Sequence, residues 1–160
     1  MTPPSAPTEF SRALRLILLA GLVAGALDIT YVFVYFNQAD PFAVLRGIAA
    51  GLLGPDARKG GTGIAALGLA LHFVIAIGAA AVFYAASRKL KALVQWPWIA
   101  GPLYGVAVWL FMNLVVLPLS ANPPKTFPAA TWKPVLIAHL ICVGLPIALI
   151  VGRAGRSAPK

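Results

Sequence analysis

Four long apolar runs, separated by short polar segments, dominate the pattern of the chain. A bilayer core of about 30 Å requires roughly 17 to 25 residues of helix, and apolar runs of this length occupy residues 16–36, 63–86, 99–117 and 135–151. The pattern predicts an all-α polytopic membrane protein with four transmembrane helices. We expect one integral membrane domain over residues 1–160, with a disordered cytoplasmic tail at 1–13 and a second cytoplasmic tail at 154–160.

A fifth apolar segment, "PFAVLRGIAAGLLG", covers residues 41–54 and includes Arg46. It is too short to cross a bilayer, which predicts a short interfacial helix in the first outer loop, with a re-entrant helix as the alternative. The other long connection, "ANPPKTFPAATWKP", contains four prolines and predicts an extended loop without a helix.

Composition supports a membrane protein and excludes several other classes. Hydrophobic residues make up 60% of the chain and charged residues 11%, against roughly 25% charged residues in soluble domains. The net charge of +9 comes from short basic clusters between the apolar runs, so it indicates contact with the lipid bilayer and no nucleic-acid partner. A single cysteine and the lack of phosphate, dinucleotide or HExxH motifs indicate no cofactor and no metal.

The basic residues also predict an orientation. With the N-terminus in the cytoplasm, inner segments carry eight Lys and Arg residues and outer segments carry five, so both termini are expected to be cytoplasmic. An alternative is a cleaved signal peptide, because Arg12 and Arg15 precede "LILLAGLVAGA" with a small-residue site at 24–26. The apolar run continues beyond that site to full spanning length, which favours a retained helix.

Four polar residues interrupt the apolar runs at similar depth, in the predicted outer half of the membrane. They are Asp28, His72, Asn113 and His139, and we hypothesise that they form an intramembrane polar cluster. A buried carboxylate needs a proton, a cation or a donor, which predicts a hydrogen bond or a single-water bridge between Asp28 and His72, with His139 as the second candidate partner. A metal site of Asp28, His72 and His139 is chemically allowed, but no HxxxH or HxxxD spacing supports it.

Small residues share faces with these polar positions. Helical spacing places Asp28 on one face with two glycines, and it places His139, Cys142 and Pro146 on one face of the fourth helix. The expected helix-packing residues are Gly21, Gly25, Gly68, Gly101 and Gly105.

The two halves of the chain also resemble each other. "AGLVAG" opens the first helix and "AGPLYG" the third, while "HFVIAIG" lies in the second helix and "HLICVG" in the fourth. The chain is therefore interpreted as a duplicated helical hairpin with a parallel repeat, although 15 glycines also produce such spacings by chance.

The segments "IAAGLLGPDARKGG", "ALGLALHFVIA", "AGPLYGVAVWLFMNLVVLPLSA" and "HLICVGLPIAL" resemble those of small bacterial inner-membrane proteins of uncharacterised function, a loose group that includes the YagU-like family. The resemblance implies a four-helix bundle in the bacterial inner membrane, with His72, Asn113 and His139 as matched positions, and it assigns no catalytic or binding role to any residue.

Two classes of function remain. The polar cluster either locks the bundle of a structural or accessory membrane protein, or belongs to a small carrier or channel for protons, another ion or a small solute that acts as a homo-oligomer. An enzyme is less favoured, since no nucleophile and base occur at a recognisable spacing.

Overall fold

The computed structural model describes residues 9–35, 40–124 and 132–156, with side chains described up to residue 153. Within these ranges the chain forms helices, turns and bends and contains no strand. The α-helices are α1 (Glu9–Tyr35), α2 (Pro41–Leu53), α3 (Thr62–Lys89), α4 (Ala92–Gln95), α5 (Pro97–Phe111), α6 (Trp132–Ala138) and α7 (Leu145–Arg156). A 3-10 helix, Pro55–Lys59, joins α2 to α3.

Four helical segments are long and apolar enough to cross a membrane: Glu9–Tyr35, Thr62–Lys89, Pro97–Val116 and Trp132–Arg153. The third span is α5 continued by a π-helical stretch, Met112–Val116. The fourth span is α6, a second π-helical stretch, His139–Gly144, and α7. The prediction of an all-α polytopic fold with four spans is confirmed.

One predicted boundary differs from the structure. Helix α1 begins at Glu9, so residues 9–13, expected to be part of a disordered tail, form its first turns. A glutamate in the first turn interacts favourably with the positive end of the helix dipole. At the other terminus α7 continues to Arg156 and includes residues expected in the second tail. Residues 125–131 of the predicted extended loop lie outside the described part of the chain.

Helix α1 lies at the centre of the packing, between α3 and the fourth span, and the fourth span packs in turn against α5. Helix α1 can lie between these neighbours because its buried side chains are small. Ala20 and Ala24 are fully buried in the same core as Phe83 and Ile147. Helices α3 and α5 are joined by one side chain, since the hydroxyl of Tyr104 donates to the carbonyl of Ala79 at 2.6 Å. The bundle therefore depends on close backbone approach along α1 and on side-chain contact between α3 and α5.

Helix α2 closes one end of the bundle, which we call the α2 end. The segment begins at Asp40, whose carboxylate caps the helix by accepting from the backbone N–H of Phe42. Near the opposite end of the helix, the carbonyl of Gly51 accepts from the N–H of Ala121, just beyond the third span. Leu45 packs its backbone directly on Gly68 of α3. These contacts hold the 13-residue helix against α3 and the end of the third span.

The apolar helix α2 accommodates one cation, Arg46, because its guanidinium has several partners. Its guanidinium forms an ion pair of 3.1 Å with Asp40 and donates to the carbonyl oxygens of Phe42 and Gly60. Because Gly60 precedes α3, the same side chain fastens the start of α2 to the start of α3. The charge that interrupts the apolar run is thus fully engaged at the α2 end.

Candidate functional site

The glycines of α1 bring that helix into contact with α3. A Cβ atom on Gly21 would lie 2.5 Å from Cα of Ile77, and one on Gly25 would lie 2.9 Å from the ring of Phe73. Ordinary contacts between carbon atoms are about 3.5 to 4.0 Å. Neither position therefore has room for a side chain, and the backbone of α1 at Gly25 is exposed to polar groups of α3.

His72 uses this exposed backbone. Its Nε2 donates to the carbonyl of Gly25 at 2.9 Å, across the interface between α3 and α1. The ring of Phe73 lies edge-on to the imidazole, with ring centroids 5.6 Å apart. His72 is therefore satisfied by the backbone of the neighbouring helix.

Asp28 does not accept this hydrogen bond, so the predicted direct hydrogen bond between Asp28 and His72 is not formed, while the predicted single-water bridge stays a prediction. Oδ1 of Asp28 is buried and has no hydrogen-bond partner within the described residues. Cys142 belongs to the π-helical stretch His139–Gly144, which packs against α1. The physical reason for the missing bond is that the carbonyl of Gly25, which no side chain covers, already accepts from Nε2 of His72.

The two remaining polar positions bond within their own spans. The side-chain amide of Asn113 donates to the carbonyl of Trp109 at 2.9 Å, and Nδ1 of His139 donates to the carbonyl of Val135 at 2.8 Å. Both are bonds to the residue four positions earlier, which local helix geometry supplies without a partner helix. Asp28, His72, Asn113 and His139 form no hydrogen bonds with one another in the described chain.

No metal-binding group is assembled from these side chains. Among the described residues, no three His, Cys, Asp or Glu side chains come close enough together to hold a metal ion. Asp28, His72 and His139 therefore do not form such a three-ligand group.

The predicted packing glycines of α5 contact the fourth span. A Cβ on Gly101 would lie 2.7 Å from Cα of Leu145, and one on Gly105 would lie 2.7 Å from Cα of Leu140. Gly144 completes this contact from the opposite helix, because its own Cβ would meet the backbone of Gly101 and Gly105. Sequence analysis missed Gly144, although it is the glycine that ends the "HLICVG" segment.

The similarity of the two hairpins extends to these contacts. Each AGxxxG segment packs against the second helix of its own hairpin, α1 on α3 and α5 on the fourth span. The relation between hairpins is less regular, since α1 packs closely on the fourth span whereas α5 reaches α3 through Tyr104. Duplication stays an interpretation.

A cavity of about 660 Å³ lies at the α2 end, between α2, α3 and the end of the third span. None of the four polar residues singled out from the sequence lines it. Its apolar walls come from all three elements and include Ile48, Ile75 and Met112, and its polar lining includes Arg58 and Asn122. Sequence analysis did not predict this cavity, because it arises from the placement of α2 over the gap between α3 and the third span.

Comparisons with protein-family models, with curated proteins and with solved structures found no match to this chain. The resemblance to the YagU-like group therefore stays an expectation, and the bundle itself carries the functional argument: an all-α, multi-pass arrangement whose polar side chains bond largely to helix backbones.

Proposed function

We propose that this chain is a multi-pass protein of the bacterial inner membrane with a structural or accessory role, in which polar side chains lock the helix bundle. The excess of basic residues in the segments expected on the cytoplasmic side supports a cytoplasmic location for both termini.

The hydrogen bond from His72 to Gly25 is the observation that carries this proposal. It joins α3 to α1 at the place where Phe73 packs on the glycine. Tyr104 does the same between α5 and α3 by donating to Ala79. In a bilayer, such bonds between helices select which faces meet, and here both end on a backbone carbonyl of the bundle itself.

Replacing His72 by leucine tests the locking role. Removing one bond between transmembrane helices should lower the free energy of unfolding by about 0.6 kcal/mol, and by up to about 1.7 kcal/mol. His139→Leu is the matched control, because its hydrogen bond stays within one helix and its loss should cost less. Unfolding of both variants in mixed micelles of detergent and sodium dodecyl sulfate gives the two free energies.

A second measurement separates locking from transport. Wild-type protein in sealed vesicles, with a pH gradient and a fluorescent pH indicator inside, should collapse the gradient no faster than protein-free vesicles. If wild-type protein speeds the collapse and His72→Leu abolishes that effect at unchanged stability, the structural proposal is wrong.

One observation favours the alternative, a small carrier for protons or another cation that acts as an oligomer. Oδ1 of Asp28 is buried without a partner in the part of the chain that the structure describes, and ionisable groups inside membranes mark proton or ion paths by default. Four helices leave a narrow path through one protomer, so this function requires more than one copy. Gradient collapse that is lost in Asp28→Asn, together with a native mass above that of the monomer, would establish the alternative; a strict monomer would count heavily against it.

A further inference from the structure

The cavity at the α2 end has a rigid frame. Arg46 fixes the start of α2 to Gly60, Leu45 rests on Gly68, and Gly51 bonds to Ala121 beyond the third span. A volume of about 660 Å³ falls within the range of roughly 300 to 1,000 Å³ found for ligand pockets. The cavity is therefore large enough for a ligand and its walls are held in place.

Its lining changes from polar to apolar with depth. Arg58 lies in the 3-10 helix before α3, and Asn122 lies beyond the third span, so both are at the α2 end. Ile75 lies 13 residues past Thr62 along α3, which corresponds to about 20 Å at 1.5 Å per residue. Met112 extends the apolar lining on the opposite wall. The ligand that matches such a lining has one polar end and one long apolar end.

Arg58 supplies the charge that such a ligand must complement. The two neighbouring cations at this end are paired, Arg46 with Asp40 and Lys59 with Asp56. Arg58 forms neither an ion pair nor a hydrogen bond within the described residues, and its guanidinium lies 3.4 Å from the position of a Cβ on Gly47. The guanidinium is thus placed over α2 at the cavity and is available to an anion.

We propose that this cavity binds one anionic phospholipid from the leaflet at the α2 end. The phosphate lies at Arg58 and Asn122, and an acyl chain runs down between α3 and the third span past Ile75 and Met112. Leu52, which lines the cavity, is 60% exposed, so the cavity opens to the surroundings of the bundle. An arginine beside a cavity that opens to the surrounding lipid attracts an anionic headgroup, and this site goes beyond a scaffold role.

Native mass spectrometry tests the site with purified full-length protein. The protein is incubated in dodecyl maltoside micelles containing palmitoyl-oleoyl phosphatidylglycerol or the corresponding phosphatidylcholine at equal mole fraction, and bound lipid is counted. Wild type should prefer phosphatidylglycerol by about fivefold, the size expected for one cation beside an anionic headgroup. Arg58→Gln should lose this preference, whereas Lys59→Gln, which removes the adjacent cation outside the cavity lining, should keep it.

A second pair of variants tests the acyl chain's path. Gly51 lines the cavity and has room for a Cβ, with the nearest atom at 3.9 Å, so Gly51→Leu should fill the space and reduce binding of both lipids. Gly78→Leu adds the same side chain on α3 at a position with no atom within 4 Å, and it should bind lipid like wild type. Both are compared as monodisperse samples.

Equal loss of preference in Arg58→Gln and Lys59→Gln would mean a general charge effect and would overturn the site. Unchanged binding in a folded Gly51→Leu variant would also overturn it, as would the absence of any preference in wild type. Should Gly51→Leu fail to fold, the comparison of Arg58 with Lys59 still decides the proposal.

Discussion

Gly144 is the position where the packing of the bundle makes its strongest quantitative prediction. The perturbation is Gly144→Ala, one added methyl group in the contact between the fourth span and α5. Its Cβ would lie 2.5 Å from the backbone N of Gly105, with the carbonyl oxygen of Gly101 also in contact. These atoms belong to backbone, so they cannot rotate away as a flexible side chain could.

The cost follows from the separation required. To reach an ordinary contact of about 3.5 Å, the two helices must move apart by about 1 Å, and overpacking of this kind typically costs 1–3 kcal/mol. A gain of up to about 1 kcal/mol from the higher helix propensity of alanine opposes it. We therefore expect Gly144→Ala to lower the free energy of unfolding by about 1 kcal/mol, and by no more than about 2 kcal/mol.

Gly78→Ala is the matched control, because no atom lies within 4 Å of the added Cβ. The same propensity gain acts there without the steric cost, so this variant should be unchanged or more stable by up to about 1 kcal/mol. Of the two identical substitutions, only Gly144→Ala is thus predicted to lower the free energy of unfolding.

The free energy of unfolding of both variants is measured in mixed micelles of dodecyl maltoside and sodium dodecyl sulfate. The rate at which Cys142 is labelled serves as the signal. Cys142 is the single cysteine of the chain and is partly buried on the fourth span, so its labelling rate reports opening of this region. Equal stability of the two alanine variants would show that α5 and the fourth span do not meet at Gly144, and would refute the packing described above.

Three further predictions concern other parts of the chain. With Cys142 replaced by alanine, a cysteine at Lys59 should react with an impermeant thiol reagent in intact cells and one at Lys91 should not; the reverse result would invert the proposed orientation. Asp28→Asn should be at least as stable as wild type near neutral pH, because Oδ1 has no hydrogen-bond partner among residues 9–35, 40–124 and 132–156, and a loss above about 1 kcal/mol would contradict this. Arg46→Gln should speed amide hydrogen exchange in α2 several-fold, since it removes the ion pair to Asp40; unchanged exchange would show that this ion pair does not stabilise α2.

The helical spans could be read from the sequence because hydrophobic length is fixed by bilayer thickness. Their ends could not, since hydropathy does not register polar helical turns such as those after Glu9. The short length of residues 41–54 correctly excluded a span, but nothing in its composition showed that Leu45 would pack on the backbone of Gly68. That contact depends on the tertiary arrangement, and with it the cavity.

For the polar residues too, some contacts could be predicted from the sequence and others depended on the tertiary arrangement. The helical face of His72 predicted its contact with α1, and His72 does bond to α1 at Gly25, where the backbone is accessible. The predicted direct hydrogen bond to Asp28 is absent because the prediction considered side chains alone, whereas Nε2 of His72 donates to a backbone carbonyl. Asn113 and His139 likewise bond to backbone four residues earlier, an option open to either residue in any helix. Tyr104, between the two glycines of α5, was a detectable signal that the sequence analysis did not use.

The π-helical stretch His139–Gly144 changes how relatives of this chain should be compared with it. Such a stretch holds an extra residue, so α7 is turned by about 100° from its direction in an uninterrupted α-helix. With this turn, His139 and Pro146 do not share a face. Unbroken α-helical periodicity had predicted that they do. A relative with one residue fewer here could present identical faces on α6 and α7. Alignment methods usually penalise a gap inside a membrane helix. In this span, however, a single-residue gap would preserve the interface with α1. An ungapped alignment would pair every residue of α7 with the wrong neighbour.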